Sequence, residues 1–142
     1  MKSIVCALLA FAALAWADER ADRAAIQGVV EALANDQAGG SPKAAAGLFT
    51  DDADNQLSRL SDMDRRLLWP GGEPFSEVTA PRLAVQTIRF ITADVALVDA
   101  AIAQYGSTIV VRRVPVLLVM RKEAKGWRIA SLRLMADLTK ML

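Results

Sequence analysis

Apolar residues recur every three to four positions early in the chain and every second position late in it, so helices are expected first and strands after them. Ala25, Ile26, Val29, Val30, Leu33 and Ala34 form one stripe within Glu19 to Ala38, which predicts an amphipathic helix with Gly39-Gly40 as its stop. Ser41-Pro42 then offers an N-cap and a first-turn proline for a short second helix, Lys43 to Phe49, with Leu48 and Phe49 turned inward. The polar run Thr50-Asp51-Asp52-Ala53-Asp54-Asn55 reads as a turn leading out of that helix into a first strand, because Asp and Asn bond their own backbone readily. A third helix is expected over Ser58 to Trp69, capped by Ser61 or Asp62, with Leu60, Met63, Leu67 and Leu68 on its buried side. Pro70-Gly71-Gly72 ends it, and Gly71 to Pro81 reads as an irregular loop anchored by Phe75 and Val78.

From Arg82 the spacing becomes that of strands. Arg82 to Thr92 and Val95 to Gln104 form a pair joined across Ala93-Asp94. Plain alternation puts Leu83, Val85, Thr87, Arg89 and Ile91 on one face of the first. It puts Val95, Leu97, Asp99, Ala101 and Ala103 on one face of the second, with Ala96, Val98, Ala100 and Ile102 opposite. Thr108 to Lys122 is a longer strand, rich in β-branched residues, in which Pro115 has no N–H for the ladder and so marks a bulge or an unpaired position. Glu123-Ala124-Lys125-Gly126 has turn chemistry, and Trp127 to Leu134 returns as the second arm of a hairpin. The plan is α+β, with helices packed on one face of a strongly curved antiparallel sheet.

Met1 to Ala17 stands apart. It has one early charge, Lys2, an apolar run from Ile4 to Trp16, and Ala15 and Ala17 in the A-x-A arrangement of a secretory signal peptide cut before Asp18. Cys6 lies inside the apolar run rather than at its end, unlike the acylated cysteine of a lipoprotein. The expected organisation is therefore a signal peptide, 1–17, and one domain, 18–142, that is secreted or periplasmic. Removing the leader removes the single cysteine, and the sequence has no histidine, so thiolate nucleophiles, imidazole bases, disulfides and the usual zinc ligands are excluded. Loss of Lys2 also balances the basic and acidic residues, which gives no electrostatic reason for a nucleic-acid or membrane-surface partner. No motif asks for a cofactor or a metal. The acidic run at Asp51 to Asp54 lacks the mid-loop glycine and later bidentate Glu of an EF-hand calcium loop.

Three segments carry a family likeness: Leu48-Phe49-Thr50-Asp51-Asp52-Ala53-Asp54, Asp94-Val95-Ala96-Leu97-Val98-Asp99-Ala100, and Val116 to Lys122 followed by Gly126-Trp127-Arg128-Ile129. In these the chain resembles the SnoaL-like branch of the nuclear transport factor two superfamily, over nearly all of residues 18–142. The resemblance implies a cone-shaped roll with the N-terminal helices on the concave face of the sheet, an apolar pocket at the wide end, and homodimers formed through the sheet's outer face. It does not choose a function, since relatives include isomerases, cyclases, dehydratases, epoxide hydrolases and members without catalysis. The dehydratases lean on histidine, which this chain lacks.

Two functions follow. The first is a secreted domain that binds a small apolar molecule or another protein, with a pocket drawn from Trp69, Phe75, Leu97, Val116, Leu118 and Trp127, residues that otherwise serve as ordinary core. It is preferred because an apolar cavity binds without chemistry. The alternative is a histidine-free enzyme of isomerase, cyclase or epoxide-hydrolase type. Its candidate groups are Asp54 as base, Asp99 as second carboxylate, Arg89 or Arg133 as orienting cation and Tyr105 as donor to an oxyanion. Against it, Asp99, Arg89, Arg112, Arg113, Arg121 and Arg133 on strands suit cross-strand ion pairs equally well. Convergence of Asp54, Asp99 and one arginine into an enclosed cavity would favour the enzyme; outward-facing arginines would not.

Overall fold

The computed structural model describes residues 18–35, 45–61, 64, 82–105 and 110–135. Residues 18–35 form α1, and five strands follow: β1 (Phe49–Asn55), β2 (Arg82–Phe90), β3 (Val95–Tyr105), β4 (Val110–Glu123) and β5 (Gly126–Leu134). They make one curved, open sheet in the order β1-β5-β4-β3-β2. β2 to β5 run antiparallel to their neighbours, as the hairpin turn chemistry predicts.

The acidic run is where the sequence expectation fails. Residues 49–55 are a strand, not a turn, and β1 lies parallel to β5, with Phe49 beside Ile129 and Asp54 beside Ser131. The sheet is therefore mixed rather than wholly antiparallel. The short helix before it stops early: residues 45–46 are helical, a turn follows, and Phe49 already belongs to β1. Docking on β5 overrides the turn preference of Asp and Asn, because the ladder satisfies the same backbone groups. A 3-10 turn at Gln56–Arg59 leaves β1, with the Asn55 Oδ1 accepting from Leu57 N at 3.0 Å and Leu57 buried beneath it. The expected third helix and the loop to Pro81 fall mostly outside the described residues, as do residues 1–17.

α1 lies on one face of the sheet, here called the inner face, and most of the stripe that the spacing predicts faces it: Ile26, Val30 and Leu33 are fully buried and Val29 and Ala34 half-buried, while Ala25 is exposed. Against them pack Ala96, Val98, Ala100 and Ile102 of β3, Val114, Val116, Leu118 and Met120 of β4, and Trp127, Ile129, Leu132 and Leu134 of β5. This is a single continuous core. The first turn of α1 is tied down by polar contacts: Asp22 Oδ1 accepts from the Trp127 indole at 2.9 Å and from Lys122 Nζ at 2.9 Å.

Plain alternation holds along β3 and fails where bulges interrupt it. Gln86 is an extra residue between Val85, paired with Ala100, and Thr87, paired with Asp99. Leu83 and Val85 therefore share the inner side with Ile88 and Phe90, while Thr87, Arg89 and Ile91 are exposed. A second bulge, at Ala130 opposite Val119 and Met120, turns Leu132 and Leu134 inward and Arg133 outward, away from the face that holds Trp127 and Ile129. Each bulge shifts the two-residue period by one and adds local twist.

Pro115 itself is not bulged; it pairs with Ala101 of β3. Its carbonyl accepts from Met135 N at 2.9 Å, so its nitrogen faces the point where β5 has ended and no strand asks for a donor. Gly126 opens β5 at φ +112°, the conformation that the Ala124-Lys125 turn requires.

Candidate functional site: the outer face of the sheet

The side opposite α1 carries most of the charged strand residues. Between the buried Val98 and Ala100, Asp99 is exposed, and its carboxylate accepts from Thr87 Oγ1 at 2.8 Å. Arg89 is exposed beside the buried Ile88, and Arg133 is exposed between the buried Leu132 and Leu134. Asp54, at the β1 edge, takes Arg59 at 2.6 Å and is also ion-paired with Arg133. Asp54 and Asp99 lie three strand spacings apart across the sheet and are offset along it, roughly 16 Å in all. Among the described residues the four candidate groups lie on one face of the sheet, Asp54 paired with Arg133 and Asp99 set apart from them, and they do not converge on one point. The backbone of Tyr105 ends β3; its side chain lies outside the described residues.

A second network sits at the hairpin end of the same face; sequence marks Arg121 as an ion-pair candidate but not its partners Asp52, Glu123 and Arg128. Arg121 lies between Asp52, at 3.0 Å, and Glu123, at 2.8 Å, and Arg128 approaches Glu123 at 3.7 Å. Hydrogen bonds to Glu123 first and Asp52 second hold the Arg121 guanidinium more firmly protonated than usual. The signal for it was present: Arg121 and Arg128 face each other across β4 and β5, so acids must lie within reach to separate like charges.

Between the networks runs an apolar row. Leu97 pairs with Val119, Val95 with Arg121, and Leu117 lies between Asp99 and Arg133. Val95, Leu97, Leu117 and Val119 are half-buried, their neighbours in sequence being the inner core residues. Of the residues named from sequence as a pocket, Leu97 is therefore on the outer face, while Val116, Leu118 and Trp127 are in the packed core. Trp69 and Phe75 lie outside the described residues.

Chemically, the face offers paired charges and apolar contact area. Among the described residues, no three His, Cys, Asp or Glu side chains come together to hold a metal ion. No described helix is long and apolar enough to cross a membrane.

No family model matches the chain, and no curated protein does. Solved structures match over most of the length. A domain of unknown function with a cystatin-like fold from Nostoc punctiforme is 20% identical, covers 85% of this chain and 82% of its own, and has a TM-score of 0.58. A nuclear transport factor two-like protein with a cystatin-like fold from Novosphingobium aromaticivorans is 13% identical over 85% of each chain, with a TM-score of 0.56. A protein of unknown function from Mycobacterium tuberculosis is 17% identical over 84% of this chain and 73% of its own, again at 0.56. At such identities the likeness is one of fold.

Proposed function

We propose that this chain, which has the cystatin-like fold of the nuclear transport factor two-like proteins, is a protein-interaction domain that pairs with a second copy of itself through the outer face of its sheet. The observation that carries the reading is the half-buried row Val95, Leu97, Leu117 and Val119, framed by ion pairs of both signs. An apolar centre with a charged rim is the make-up of a protein interface. A face with two charge clusters, each holding both signs, can also meet its own copy about a two-fold axis. In this reading residues 1–17 direct export and are removed.

Catalysis is the weaker reading because the carboxylates it needs are spread over an open face. A general base works in a site where desolvation or a neighbour tunes it toward the substrate. Asp54 is instead shared between two arginines, and Asp99 takes a threonine hydroxyl.

Sedimentation equilibrium of the exported chain tests the pairing. The wild type is expected to behave as a dimer, and Leu97→Asp to dissociate at least about tenfold more readily, as a charge placed in a desolvated contact does. An unchanged dimer in Leu97→Asp, with the fold intact by circular dichroism, would place the contact elsewhere.

A further inference from the structure

Among the described residues β2 ends the sheet order, and its free side is the one a further strand would use. The direction of its backbone groups can be read from the turn: Ile91 N donates to Val95 O at 2.9 Å, so residue 91 faces β3. Alternation then points Arg89 toward β3, and Ile88 and Phe90 away from it. The outward carbonyl of Ile88 is occupied. Arg23 Nη1, reaching from α1, donates to it at 2.9 Å.

The guanidinium that does this is held from two more sides. Its Nη2 donates to Glu19 Oε1 at 2.8 Å, one helical turn back, and the group lies over the Phe90 ring at 5.3 Å from its centroid. Core packing of α1 needs none of these contacts, since Ile26, Val30 and Leu33 already bury its stripe.

We infer that Arg23 is an edge guard: its guanidinium takes the acceptor that a second copy's β2 would need, and so keeps two molecules from joining sheets edge to edge. β2 invites that pairing. Its nine residues include Leu83, Ala84, Val85, Ile88 and Phe90 and carry only two charges, Arg82 and Arg89. Among the described residues the bulge at Gln86 is a further protection of this edge. This inference does not rest on the outer-face dimer, because the edge and the face are different surfaces.

The test compares the exported wild type with Arg23→Met, which keeps the aliphatic contact on Phe90 but has no donor, and with Arg23→Met/Gln86→Lys. Arg23→Met is expected to lose the wild-type sedimentation boundary to larger species. Amide exchange at Ile88 and Phe90 is expected to slow by about tenfold or more in those species, as new ladder bonds cover both groups. Gln86→Lys, which restores no contact to α1 but charges the edge, is expected to return the wild-type boundary. Retention of that boundary by Arg23→Met overturns the inference. So does growth without slower exchange at Ile88 and Phe90, or growth that Gln86→Lys leaves in place, since either would mark general loss of α1 docking.

Discussion

Asp22 is the residue at which helix, sheet and charge meet. Partial burial pushes its carboxyl up, but the hydrogen bonds from Lys122 and Trp127 and the Lys122 charge together outweigh that, and its pKa is lowered. Lys122 responds in the opposite sense: its bond to Asp22 raises its pKa, against a smaller opposing effect of burial. A carboxyl with a depressed folded-state pKa stabilises fully above its ordinary value, and that contribution is lost as the pH falls through the depressed one. Asp22→Ala is therefore expected to cost about 1–3 kcal/mol near neutral pH, the range for a lost hydrogen bond between a charged group and a buried donor. Chemical denaturation at a series of pH values checks this. The gap between variant and wild type should hold down to about pH 4 and narrow below it. A gap that stays constant into acid would mean that the charge of Asp22 plays no part.

Two glycines show how the same substitution takes opposite signs in different elements. Gly28 lies in α1 with nothing within 4 Å of where a Cβ would stand, so Gly28→Ala supplies helix propensity alone and is expected to stabilise by about 0.5–1 kcal/mol. Gly126 has equal space, but at φ +112° an L side chain strains the backbone, and Gly126→Ala is expected to destabilise by about 1–3 kcal/mol. Thermal unfolding of both variants beside the wild type reads the two signs directly; equal signs would contradict the turn geometry at Ala124-Lys125.

Much of the element plan was legible in the sequence. α1, the β4–β5 hairpin and the β2–β3 pair each announce themselves through a sustained period and a turn signal. Side-chain facing was legible only where the period ran unbroken. β3 has no bulge within its described side chains and its inner set, Ala96, Val98, Ala100 and Ile102, reads straight off the alternation. In β2 and β5 a single extra residue, Gln86 or Ala130, reverses every assignment beyond it, which is why Arg89, in step with Leu83 and Val85, and Arg133, in step with Trp127 and Ile129, stand on the opposite face from those residues. Pro115 reads as a bulge or an unpaired position because its missing donor is visible in sequence; that the second holds, on the side where β5 has ended, is not visible there. β1 was hidden for a different reason: its seven residues include three aspartates and an asparagine, and what makes them a strand is a parallel ladder to β5 some eighty positions away.

On the scale of the whole molecule the division of labour is between two faces. The inner face carries the buried core, packed by α1 together with Ala45, Leu48 and Leu57. The outer face, where Asp54, Asp99, Arg89 and Arg133 all lie, combines an apolar row with charge networks at its two sides. That division is the reason for reading the protein as an interaction domain, and it is open to one direct measurement. With residues 1–17 removed the chain contains no cysteine, so Val119→Cys introduces a single thiol at the centre of the outer face. A nitroxide attached there, read by double electron–electron resonance, should give one narrow, short distance, as for two labels on sheets stacked about 10 Å apart. No dipolar coupling, or a distance far beyond that of two facing sheets, would contradict the outer face as the surface through which this protein acts.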